Sequence, residues 1–421
     1  MTNSYLGRPH RWGRRTALLL GLLLVAFSLI TSSNAWVPPR PAATALQVEA
    51  ARTAFRVARQ SRLTGQPSDL VLGASDLDSL STMFSQGFEP KRLDMRLSNG
   101  VFIATASQPF LGRWLNLRAE ATGRSKGFPA LRASIGAFRV PAWLSRVGVE
   151  IGRRLMIVRG AQLPPLDVLV QSTSVAQDHI QARIFLPKSG ILDEVLADPT
   201  RQITDTVVAR IYCRLAEQQR VAPDRLFTHQ LHRALAAAEP TTAQHGAALV
   251  ALAMLVTDPR VGELVGDTPA KVRACLIPVP LTTLQGRSDL PKHWSVSAAL
   301  TVAAGGHLAV AMGEWKELAD SLSQSDYFTP DDRSGFSFVD LATDRAGFFA
   351  GRLLTSSSRL GMARARLLTA SDGQLLPTSA THLNDGMRNA EFVRRFGGTD
   401  DPRFRAALSA IDNDLRKVGL E

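Results

Sequence analysis

The stretch Leu93-Asp94-Met95-Arg96-Leu97 alternates apolar and charged side chains, and Asn99-Gly100 follows almost directly. A period of two fits a strand buried on one face. Asn-Gly is the strongest short hairpin signal, because both residues accept positive φ. A two-residue loop there pairs Leu97 with Phe102, so Leu93, Met95, Leu97, Phe102, Ala104 and Ala106 share one face. The alternation recurs over 115–121 and 131–135. Four one-faced strands in succession make an antiparallel meander, without the alternating helices of a parallel sheet.

Beyond the meander, Trp143, Val147, Ile151 and Leu155 recur at helical spacing, with Arg146, Arg153 and Arg154 opposite. The spacing predicts a helix packed on the apolar face of the sheet. Two more strands, near 166–172 and over 180–186, are expected to close the unit. The face represented by Leu97, Phe102, Leu117 and Trp143 either shelters an amphiphile or simply covers that helix. Gly123-Arg124-Ser125-Lys126-Gly127 matches G-x-S-x-G, but a nucleophile elbow needs a buried strand before it and a helix after it. A polar turn between antiparallel strands provides neither.

From Ile191 the pattern is helical to the end, with starts expected at Asp198-Pro199-Thr200, Pro223-Asp224 and Thr241-Thr242. Phe392, Phe396 and Phe404 are expected to anchor the last helices on the bundle. The fold class is therefore α+β, and 421 residues exceed one ordinary core. The divisions expected are a signal-anchor over 1–36, a linker or stalk over 37–67, a sheet-plus-helix domain over 68–188 and a helical domain over 191–421.

Arg8, His10, Arg11, Arg14 and Arg15 precede the apolar run Ala17 to Ile30, the order of an export signal. Uncleaved, 16–36 is long enough to span a bilayer at ~1.5 Å per residue. The positive flank then leaves the N-terminus cytoplasmic and the bulk periplasmic, on a single-pass inner-membrane anchor. The alternative is secretion to the periplasm after cleavage near Ala35. The net charge of +12 suits anionic lipid or an acidic partner. No zinc-finger spacing or aromatic-interleaved basic stripe accompanies it, which sets nucleic acid aside. Cys213 and Cys275 read as two small buried residues, although export would let them pair.

The ionisable residues of 287–354 are few and regularly spaced. If the chain reverses at Gly305-Gly306, two arms form an αα-hairpin that brings His293 level with Glu317. His293 and Ser297 then share one face; Gly313, Glu317 and Asp320 share the facing one. A third helix entered through Ser334-Gly335-Phe336-Ser337 carries Asp340 and Asp344. The expected polar cluster is His293, Ser297, Lys316, Glu317, Asp320, Asp340 and Asp344. One histidine with carboxylates between helices suits a divalent metal held by His293, Glu317 and Asp340. A buried polar network that fixes helix register is the alternative. A helix running straight through Gly305 would separate His293 from Glu317 by ~36 Å.

The same stretch resembles known families. The order D-x-x-x-H, K-E-x-x-D, G-x-S-x-x-D-L-x-x-D-x-x-G falls on Asp289, His293, Lys316, Glu317, Asp320, Gly335, Ser337, Asp340, Leu341, Asp344 and Gly347. It resembles the YfiM-like bacterial envelope lipoproteins and, more distantly, VanZ-like helical membrane proteins. An insertion, Ser323 to Asp332, departs from that pattern. Residues ~75–188, through Asn99-Gly100 and Gly136 to Leu144, are similar to YpmS-like single-pass membrane proteins. These resemblances imply an envelope location, and a half-barrel that holds an amphiphile, but no settled activity. Two functions are carried forward. One is a non-catalytic, membrane-tethered envelope protein that binds a lipid or an envelope protein, with no catalytic residue and no cofactor. The other is a metal-dependent hydrolase acting from the His/Glu/Asp cluster.

Overall fold

A computed structural model of the chain describes residues 20–21, 24–25, 27–158, 163–187, 203–321 and 335–420. The expected basic segment 8–15, part of the apolar run, the helix start at 198–200 and the 323–332 insertion lie outside those residues. Among the described residues no helix is long and apolar enough to cross a membrane. The fold is α+β with antiparallel sheets.

Chain order begins with a short strand β1 (Thr31–Ser32), helix α1 (Ala45–Thr64), strand β2 (Ser68–Gly73) and helix α2 (Ala74–Gly87). The meander follows as β3 (Arg92–Ser98), β4 (Val101–Phe110), β5 (Arg113–Thr122), β6 (Ala130–Ile135) and β7 (Phe138–Val140), each hydrogen-bonded to the next. Leu97 pairs with Phe102 across Asn99 (φ 52°) and Gly100 (φ 72°), the expected register. The free edge of β3 is sealed by α2: Ser85 Oγ accepts from Leu93 N at 3.0 Å and Ser81 Oγ from Met95 N at 2.9 Å. Covering an edge in this way removes a template for strand addition.

Three expectations for this domain are corrected. The more deeply buried face of β4 carries Ile103, Thr105 and Ser107, not the predicted Phe102, Ala104 and Ala106, which are half-buried. The chain at 31–37 causes this by crossing the first face. Trp36 N donates to Ser107 Oγ and Asn116 Oδ1, and Val37 N to Ser107 Oγ. Next, the predicted strand near 166–172 starts as a helical turn, Leu166–Leu169; β8 (Val170–Val175) and β9 (His179–Ile184) then join β2 in a separate three-stranded sheet. Finally, helix α3 (Ala142–Val158) forms as expected but does not lay its apolar stripe on the sheet. It attaches through Ser145, whose Oγ accepts from Ala133 N at 3.2 Å, while Trp143 stays 71% exposed. Trp143 thus lines no interior face with Leu97 and Phe102, and Leu117 is also exposed. The G-x-S-x-G segment is the turn between β5 and β6, with Gly127 at φ +82°.

Helix α1 is capped by Thr44 and Gln47, but it is no isolated stalk: Val48 and Ala51 are buried in the core that the helical part also fills. That part comprises α4 (Asp205–Val221), α5 (Phe227–Ala236), α6 (Thr242–Val256), α7 (Leu290–Ala304), α8 (Gly306–Ser321), α9 (Phe338–Leu354), α10 (Leu360–Leu367), α11 (Asn389–Phe396) and α12 (Pro402–Lys417). Residues 245–256 of α6 are buried all round, as an axial helix requires. Phe392 stacks on Phe336 at 4.0 Å and lies 5.8 Å from Phe404, so these rings do anchor α11 and α12.

Cys213 and Cys275 form a disulfide, against the expectation of two unpaired buried residues. It ties α4 to a turn 62 residues later, a long loop whose closure restricts the unfolded chain. Cys213→Ala with Cys275→Ala should lower the denaturant midpoint by the equivalent of ~2–4 kcal/mol. An unchanged midpoint in matched urea titrations would make the crosslink inconsequential.

Candidate functional site

Gly305 interrupts the α7–α8 run with φ +98°, a conformation that disfavours a side chain. The chain reverses there, as the paired glycines predict. Helix α9 then lies along α7 at very short range, because Gly347 sits against the Trp294 carbonyl and Gly351 against Ala298 and Thr301. Ser337 caps α9 by accepting from Asp340 N at 3.0 Å. Glu317 on α8 in turn accepts from Ser337 N at 2.9 Å, which ties the start of α9 to α8.

The expected cluster assembles between these three helices. His293 Nδ1 is 3.2 Å from Asp344 Oδ1, and Nε2 is 3.3 Å from Asp340 Oδ2. Ser297 donates to Asp344 Oδ1 at 2.9 Å. Lys316 Nζ lies 3.2 Å from Glu317 Oε1 and 2.7 Å from Asp320 Oδ2. Glu317 is fully buried, Asp340 and Asp344 nearly so, and Lys316 reaches partly into solvent. All seven expected residues therefore belong to one connected set.

One atom of the set has no partner: Asp340 Oδ1 is buried and makes no hydrogen bond. The Arg287 guanidinium stands 3.7 Å from it, beyond hydrogen-bond reach. Arg287 itself is held by Asp289 and Asp385 at the rim. The predicted ligand set also changes. Ligand atoms of His293, Glu317 and Asp344 all lie within 4.8 Å of one another and can hold a metal ion. Asp344 takes the place predicted for Asp340, which faces the other nitrogen of the ring. Helical spacing cannot separate the two aspartates, since both point to one side of α9; the approach of Gly313 to the Asp344 carboxylate does so.

Charge is unevenly balanced here. Burial opposes a charge on His293, but Asp344 and Asp340 outweigh it and push its pKa up to about 9. Burial pushes the carboxyls of Glu317 and Asp340 upward, an effect only partly offset by Lys316 at Glu317 and by His293 and Lys316 at Asp340. Glu314, the next acid back on α8, is raised to about 7 by burial, although Gln86 donates to it at 3.2 Å. Arg287, Asp385, Ser337 and Glu314 adjoin the cluster although the helical spacing does not predict them there. Ser337 lies within the motif and Arg287 just before it, so both were within reach of the pattern, whereas Asp385 comes from a distant loop.

Ser297 cannot serve as a nucleophile activated by His293, because its hydroxyl bonds Asp344 and both ring nitrogens already face carboxylates. No protein-family model, no curated protein and no solved structure matches this chain.

Proposed function

We propose that the protein is a membrane-tethered cell-envelope protein whose helical domain is a divalent-metal site of the hydrolase type. One observation carries the reading. With His293 neutral, as a ligand must be, three buried carboxylates (Glu317, Asp340, Asp344) share one ammonium, Lys316, that Asp320 also binds, which leaves a surplus of negative charge for a divalent cation to cancel. Unpaired charge at such depth is costly, so a compensating cation is expected. His293, Glu317 and Asp344 are the ligands, one from each helix. A mixed nitrogen and oxygen set suits zinc, manganese or iron. Asp340 would accept from His293 Nε2 and fix the ring, the usual partner of a ligating histidine. Three protein ligands leave a position for water, which such a cation activates for hydrolysis.

The tether reading draws support from 31–37. Asn116 Nδ2 donates to Ser32 Oγ and to Asn34 O, and β1 pairs with β5. Cleavage after Ala35 would remove that strand from the sheet, which favours retention of the N-terminal apolar run as an inner-membrane anchor, drawn from residues before 31 because 31–36 are docked on the sheet, with the bulk periplasmic. The likeness to YfiM-like and YpmS-like envelope proteins belongs to this same proposal.

A second reading has its own observation. With both ring nitrogens within 3.3 Å of carboxylates, a protonated His293 closes an ion network without any metal. The protein would then be a non-catalytic envelope protein that binds a lipid or a protein partner. Elemental analysis of the full chain purified in detergent separates the two. The metal reading expects about one divalent cation per chain, lost on His293→Ala, with ester or phosphodiester hydrolysis lost alongside. Absence of metal after reconstitution with zinc or manganese, and unchanged stability in chelator, would leave the closed network.

A further inference from the structure

The outer face of α3 is not covered by any described part of the molecule. Trp143, Val147, Ile151, Leu155 and Val158 form one stripe at helical spacing and are 71%, 42%, 52%, 56% and 84% exposed. A stripe this apolar on a soluble surface marks an interaction face. Its surroundings identify the occupant. Ala137 N donates to Leu29 O at 2.8 Å, so the N-terminal apolar run meets the sheet five residues before α3 begins. The Phe27 ring lies 6.3 Å from Phe110, at the β4–β5 hairpin tip, where Phe110 and Leu111 are 42% and 78% exposed. Phe138, on the strand leading into α3, is 51% exposed. Apolar side chains thus concentrate where the apolar run leaves the sheet.

Charge completes the pattern. Trp36, Arg118, Arg132 and Arg139 line a cleft of about 810 Å³ beside the same strands. The Arg118 guanidinium is taken by Glu120 at 2.9 Å, but Arg132 and Arg139 have no side-chain partner among the described residues.

We propose that this edge lies on an anionic phospholipid bilayer: the α3 stripe and the 110–111 tip sit in the interface, and Arg132 and Arg139 take lipid phosphates. An amphipathic helix with basic flanks binds a membrane surface in this way. The inference rests on the tether reading, and it adds a second attachment that orients the body on the membrane.

The test uses the full chain in vesicles of phosphatidylethanolamine and phosphatidylglycerol. Both native cysteines are paired, so Val147→Cys provides a free thiol for an environment-sensitive fluorophore, and Ser357→Cys in the helical part is the reference. The expected result is blue-shifted emission at 147, quenched severalfold more strongly by spin-labelled lipid than emission at 357. Arg132→Glu with Arg139→Glu, or phosphatidylcholine alone, should reduce that difference. Water-like emission at 147 on vesicle-bound chain overturns the inference and leaves the tether standing. Crosslinking of 147 to 147 between chains also overturns it, because a second copy would then cover the stripe. Failure of the chain to float with vesicles overturns the tether and this inference together.

Discussion

Gly347→Val should unfold the helical part or lower its stability by about 3 kcal/mol or more, beyond a typical surface change. A Cβ at Gly347 would overlap the Trp294 carbonyl and come 3.1 Å from Ala298 N. Both obstacles are backbone of the neighbouring helix, so no side chain can rotate aside. The helices would have to separate, and Trp294, Ala298 and Thr301, buried at that contact, would lose packing. Separation would also draw His293 away from Asp340 and Asp344, which reach it from α9. Gly361→Ala is the control, since nothing lies within 4 Å of its added carbon. In α10 it should be neutral or stabilise by up to ~1 kcal/mol through helix propensity. Urea midpoints at constant m-value read both. A Gly347→Val protein of unchanged midpoint would mean that α7 and α9 do not touch as described.

That contact explains what sequence reasoning reached and what it missed. Local signals carried the hairpin at Asn99-Gly100, the reversal at Gly305 and the meander, because each depends on a few adjacent residues. The cluster at His293 followed from the reversal, since a turn of known position sets which residues come level. Signals weakened wherever one segment had to choose among partners. Both faces of β4 are passably apolar, and the segment at 31–37, whose sequence reads as the end of the signal-anchor, decided between them through Ser107 and Asn116. The stripe on α3 has the periodicity of a core helix, and periodicity does not distinguish a sheet from another apolar surroundings. Asp340 and Asp344 share one side of α9, and only the close approach of α8 at Gly313 assigns them to different ring nitrogens. The disulfide was beyond reach for the same reason, as pairing depends on tertiary approach rather than spacing.

In chelator, stability should fall as pH rises from about 5 to 9, and added zinc or manganese should cancel most of that fall. The sign comes from the buried groups. His293 is raised from 6.5 to about 9, so the folded state keeps a proton that the unfolded chain releases between those values. Its contribution is complete below pH 6.5 and is lost as pH climbs through 9, on the order of 3 kcal/mol. Glu314 acts in the same direction lower down: raised from 4.5 to about 7, it favours the folded state most below 4.5 and loses that advantage up to 7. Glu317, also raised by burial, adds to the decline. A cation at His293, Glu317 and Asp344 binds their deprotonated forms, so it gains where the protons are lost and contributes least at pH 5. Thermal melts with metal and with chelator should therefore coincide near pH 5 and diverge towards pH 9. His293→Gln should flatten the chelator profile between 6.5 and 9 and remove the divergence. Metal and chelator curves that coincide at every pH would instead leave His293 as the protonated centre of a closed ion network, with surplus negative charge met by a proton on Glu317.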